Sequence, residues 1–98
     1  MSQRGSGSTR AACQLEIKNR LGLHARAAAL IVQTVAQFEA EITVTKDDQT
    51  VNGKSILGLM MLAGGQGSSI AVEAQGPDAQ AAVDAIIALV EAKFNEDA

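Results

Sequence analysis

The stretch CQLEIKNRLGLHARAAALIV, residues 13–32, changes its period in the middle. Up to Lys18 it alternates, with Cys13, Leu15 and Ile17 on one side and Gln14, Glu16 and Lys18 on the other. That is the pattern of a strand with one buried face. From Ala25 the apolar residues Ala28, Ile31, Val32, Val35 and Phe38 form one broad face, while Arg26, Gln33 and Gln37 fall on a separate polar stripe. This predicts an amphipathic helix. The join between the two periods holds the only histidine of the chain, His24, with Gly22 two residues before it and Arg26 two residues after.

Outward from this join the same two periods alternate. Residues 41–46 read as a second strand with Ile42 and Val44 facing in, KDDQ at 46–49 as a hairpin turn, and residues 50–52 as a short return strand. Ser55 is a suitable N-cap for a second helix. GGQG at 64–67 reads as a loop, and residues 69–75 as a strand with Ile70, Val72 and Ala74 on one face. Gly76-Pro77 then predicts a third helix with proline at its first position, its stripe made by Val83, Ile86, Ile87, Val90 and Phe94. The order β-α-β-β-α-β-α, with one apolar face per element, is met by an α+β fold in which an antiparallel sheet carries its helices on one side.

Composition narrows the function. Ninety-eight residues predict one domain: residues 1–10 as a flexible N-terminal tail and 11–98 as the folded unit. The core is aliphatic, because hydrophobic residues make up 47% of the chain and Phe38 and Phe94 are its only aromatics. Beyond residue 10, six Lys and Arg face eleven Asp and Glu, a balance that argues against nucleic-acid binding. No apolar run has the length of a membrane span and no signal segment is seen, so a cytoplasmic location is expected. Cys13 has no second cysteine to pair with and falls on the apolar side of its strand, as a small core residue. One cysteine and one histidine do not make a zinc site, and neither metal nor cofactor is expected.

Chemistry therefore gathers at His24. The first N–H groups of a helix lack internal partners, and with the macrodipole they favour an anion. An imidazole there offers a nucleophilic nitrogen to a phosphoryl donor, and Arg26 can hold the product with its planar fork of donors. Two phosphate-loop echoes fail: GKS at 53–55 would need a glycine where Asp48 stands, and GGQGSS lacks the third glycine of a dinucleotide loop. The donor is then expected to be presented by another protein. Ile56, Leu57, Leu59, Met60, Met61 and Leu62 crowd the second helix, which either lies deep in the core or exposes Ile56 and Met60 as a docking strip.

LGLHARAAA, followed some thirty residues later by NGKSILGLMML, resembles the HPr family of bacterial phosphotransferase systems, and the likeness runs from Cys13 to Phe94. The resemblance implies the open-faced β-sandwich, four antiparallel strands covered on one face by three helices. It implies that His24 accepts a phosphoryl group on Nδ1 from Enzyme I, charged by phosphoenolpyruvate, and passes it to EIIA domains for sugar uptake. Arg26 would be the phosphate clamp, Ser55 the target of a regulatory kinase (HPr kinase/phosphorylase), and Ile56, Leu57 and Met60 the partner-binding strip. A transcriptional regulator is a further partner in some branches, and a monomeric stoichiometric carrier is expected. The alternative is a regulatory module of the same fold, in the nitrogen-related branch or under control of Ser55 phosphorylation, acting by protein binding. Many members carry proline where this chain has Ala27, which implies a looser histidine loop with its reacting groups intact.

Overall fold

The computed structural model describes residues 9–62 and 64–96. Strand β1 is Arg10–Glu16, helix α1 Ala25–Val35, β2 Glu41–Lys46, β3 Gln49–Asn52, α2 Ile56–Met61, β4 Ser69–Gln75 and α3 Ala79–Glu91, followed by a 3-10 turn at Lys93–Asn95. The strands form one antiparallel sheet in the order β1-β4-β2-β3. This is the expected β-α-β-β-α-β-α order and the expected open-faced sandwich.

Register explains why only one face is covered. Ile42 pairs with Ala74, Val44 with Val72 and Leu15 with Ile70, so the apolar alternates of three strands fall on a common side. There they meet Ile31 and Val35 of α1, Leu59 of α2, and Val83, Ile86 and Val90 of α3, all buried. The other face shows Gln14, Glu16, Glu41, Glu73 and Gln75 to solvent. Each fully buried aliphatic contributes about 1.5–3 kcal/mol relative to its exposed state.

Three expectations are corrected in detail. The first strand begins at Arg10 and not at residue 13, because β4 is long enough to pair Arg10 with Gln75, and Arg10 Nη2 meets Glu73 Oε2 at 2.5 Å. The strand thus runs into the stretch read as tail; residues 1–8 of that stretch lie outside the described residues. Pro77 is not the first residue of α3, which starts two positions later with Asp78 at the N-cap. The Asp78 carboxylate turns away from its own helix and accepts from the N–H groups of Glu39 and Ala40, both at 2.9 Å. Gly76 fits the same corner, with φ 147° and so close to Ala40 that a Cβ would lie 2.7 Å from its Cα.

Phe94, finally, is not on the helical stripe. The chain leaves α3 after Glu91 and turns left-handed, with φ of 56°, 55° and 62° at Lys93, Phe94 and Asn95. Such angles cost about 1–2 kcal/mol per non-glycine residue. Complete burial of the Phe94 ring offsets part of that cost, and the reversal sends Glu96 back across the molecule.

Candidate functional site

The loop from β1 to α1 is built on contacts that leave little freedom. Ile17 is buried and bonds on both sides to the 67–68 turn, its N–H to Ser68 O and its carbonyl from Gly67 N, each at 2.8 Å. Asn19 then closes a turn, accepting from Gly22 N at 3.2 Å and donating from Nδ2 to Gly22 O at 2.9 Å. Gly22 is left-handed, φ 66°, and a Cβ there would lie 2.3 Å from Gly64 O. No other residue fits without displacing backbone. Leu23 N donates to Gly64 O at 2.9 Å, and His24 follows at the N-cap of α1 with extended angles.

Both imidazole nitrogens are engaged. Nδ1 accepts from the N–H of Arg26 at 3.3 Å, and Nε2 lies 2.5 Å from Glu96 Oε2. An ionised carboxylate can only accept, so Nε2 carries the proton and Nδ1 carries a lone pair. Asn19 Nδ2 donates to the other carboxylate oxygen, Oε1, at 3.1 Å. The His24 bond, with the Asn19 bond beside it, holds the Glu96 carboxyl below its usual range, against the opposing effect of burial; the nearby Arg26 charge acts in the same direction. The pairing is therefore present above the ordinary glutamate range and is lost as pH falls through the lowered value.

Around this pair lies a cavity of about 250 Å³ lined by Arg20, Leu21, His24, Arg26 and Glu96. Two guanidinium groups against one carboxylate leave it suited to an anion. The His24 side chain is 27% exposed, so an incoming group can reach the ring. Ala27 is fully buried in the first turn of α1.

Ser55 does not line this cavity. It caps α2, its Oγ accepting from Gly58 N at 3.0 Å, and α2 packs against α1. The crowded apolar sequence of α2 divides in two: Leu59 and the following Leu62 are buried, while Ile56 is 42%, Leu57 68%, Met60 40% and Met61 59% exposed. The strip of Ile56, Leu57 and Met60 is thus on the surface, and Met61 extends it. Cys13 is half-buried against the core, where burial, with Asp84 nearby, pushes its thiol up.

Four contributors escaped the sequence reading. Glu96 lies 72 residues from its histidine, and nothing local marks it. Asn19 looks like an ordinary turn residue. Arg20 and the 65%-exposed Leu21 had a usable signal, a basic-apolar pair in a loop directly before a glycine.

Residues 11–92 match a family model described as PTS HPr component phosphorylation site. The phosphocarrier protein HPr of Neisseria meningitidis serogroup A is 50% identical over 82 residues, covering 84% of this chain and 92% of that protein. The phosphocarrier protein NPr of Shewanella violacea is 48% identical over 83 residues, 85% of this chain and 91% of that one. Among solved structures, HPr-C-His from Thermoanaerobacter tengcongensis superposes with a TM-score of 0.86 at 45% identity, covering 90% of this chain and 99% of that one. The chain belongs to the HPr family of the phosphotransferase system. No helix among the described residues is long and apolar enough to cross a membrane.

Proposed function

We propose that this protein is a stoichiometric carrier that takes a phosphoryl group from phospho-Enzyme I on Nδ1 of His24 and hands it to EIIA domains during sugar uptake. The observation that carries this reading is the pairing of Nε2 with Glu96, which leaves the Nδ1 lone pair at a helix N-terminus beside Arg26. The Nδ1 lone pair forms the new N–P bond as the bond from phosphorus to the donor breaks and its electron pair leaves with the donor. The ring, still protonated at Nε2, becomes positive, and the Glu96 carboxylate faces that charge. The phosphoryl oxygens displace the long Arg26 N–H contact from the nitrogen and take it, with the guanidinium, for themselves. Since a carrier must also release the group, a partly open site with few clamps fits the task.

Ile56, Leu57 and Met60, all exposed on α2, form the docking strip for Enzyme I and EIIA. The protein acts in the cytoplasm as a monomer, where phosphoenolpyruvate charges Enzyme I. Incubation with Enzyme I and phosphoenolpyruvate, followed by phosphorus NMR, should give an acid-labile phosphohistidine that is absent from His24→Ala. A folded protein that takes no phosphate from an Enzyme I of its own organism refutes the reading.

A regulatory module is the second reading, favoured by the position of Ser55 directly before the exposed strip. A phosphoryl group there, added by HPr kinase/phosphorylase, would place charge at a helix N-terminus, where the fold tolerates it, and against an apolar docking surface, where partners such as a transcriptional regulator would sense it. The two readings part in His24→Ala: a carrier loses all transfer, while a binding module keeps its partners.

A further inference from the structure

We propose that Asn19 is a positioning residue for His24, acting through Glu96: its amide holds the carboxylate that keeps the imidazole proton on Nε2 and so leaves Nδ1 unprotonated. For its effect on transfer this rests on the proposed carrier function; for its effect on the ring it does not.

Asn19 is the one polar residue fully buried among those described. Its Oδ1, also buried, accepts from no group among the described residues. Burying half an amide unpaired is unfavourable, and an apolar side chain of the same volume would avoid that penalty. What the apolar side chain would lack is Nδ2. Both Nδ2 hydrogens are used, one on Gly22 O and one on Glu96 Oε1. Both partners are acceptors only, so the amide orientation is fixed by chemistry. A single NH2 group thus ties the backbone two residues before His24 to the carboxylate on the far side of its ring.

Glu96 needs such a tether. It follows three left-handed residues, and its side chain reaches the site from a distant part of the chain. Of its two oxygens one meets Nε2, and the other meets only Asn19 among the described residues. Without the amide, the carboxylate is free to rotate about its side-chain torsions, and the strained turn before it can relax.

The test compares Asn19→Leu, which keeps volume and removes the donor, with Glu96→Ala and the double variant. In 15N-labelled full-length protein with His24 neutral, the Nε2–H proton should be visible and slow to exchange with water. Asn19→Leu should speed that exchange about tenfold, the scale of one hydrogen bond, and lower the initial rate of phosphorylation by phospho-Enzyme I. Glu96→Ala should do at least as much, and the double variant no more than Glu96→Ala. Should Asn19→Leu not fold, Asn19→Asp serves instead, since it sets a second carboxylate against Glu96 and should release the same proton. An Nε2–H unchanged in a folded variant overturns the proposal. So does a double variant whose effect is the full product of the singles, because Asn19 would then act independently of Glu96. Absence of phosphotransfer in the unaltered protein, with the imidazole result intact, counts against the carrier function and leaves the positioning role standing.

Discussion

Two helices on the same side of this molecule begin in different ways. Helix α2 is capped by Ser55, whose hydroxyl accepts from Gly58 N at 3.0 Å, a residue well suited to that position. Helix α1, nearly twice as long, is capped by a histidine whose Nδ1 accepts from Arg26 N at 3.3 Å. The longer helix thus carries the weaker cap. Its stability comes instead from Ala27, Ala28, Ile31 and Val35, all buried, so the cap is free to change partners. The shorter helix buries Leu59 alone within its span and depends more on its first bond. Under the proposed function, a cap that the fold can spare is the one suited to receive and release a group.

The contrast can be broken most sharply at His24. His24→Ala should abolish phosphoryl acceptance in the phosphorus NMR assay while costing only about 0.5 kcal/mol of stability in urea titration, the low end for loss of a helix cap. A large loss of stability would mean that the histidine is a structural cap after all. Arg26→Ala comes next. It removes the guanidinium but keeps the backbone N–H, so α1 should persist by circular dichroism while the initial transfer rate falls roughly ten- to a hundredfold. An unchanged rate would show that the helix end alone holds the phosphate.

Ser55→Ala should show the reverse balance: a cost of about 1 kcal/mol in stability, with the rate of transfer to His24 unaltered. The third helix start sharpens the comparison, because Asp78 at the N-cap of α3 serves other residues. The backbone N–H of Glu39, and after it that of Ala40, hold the Asp78 carboxyl below its usual range, with Lys54 adding its charge, against some opposing desolvation. A depressed pKa stabilises the fold above the ordinary aspartate value, near 3.9, and that contribution is lost as pH falls through the lowered value. Asp78→Asn should therefore reduce Tm at neutral pH, and the difference from the unaltered protein should shrink as the pH is taken well below 4. A difference that persists in acid would place the effect elsewhere than in the charge.

Much of this is legible in the sequence. The alternation of Leu15 and Ile17, Ile42 and Val44, and Ile70 and Val72 defined strands because a sheet with one wet face has no other pattern. Asp47-Asp48 marked its hairpin, with Asp47 left-handed at φ 56°. The boundaries were less legible. Arg10 is polar and follows a Gly/Ser-rich stretch, and only its partner Gln75 makes it part of a strand. Phe94 kept the helical spacing by coincidence, and its burial is achieved by a turn of opposite hand.

At the site, the sequence by itself determined the local half: His24 at the start of α1, the Arg26 N–H and side chain next to it, Gly22 to allow the turn, and Ser55 at its own helix. These are fixed by spacings of a few residues, which periodicity and capping preferences can read. The tertiary structure decided what holds the proton on the other imidazole nitrogen, Nε2. That depends on Glu96 and Asn19, 77 residues apart, which meet because α3 crosses the sheet and the chain then reverses at Lys93–Asn95. Short-range geometry can place a nucleophile in a sequence, but a proton is placed by whatever the completed fold brings to the other side of the ring.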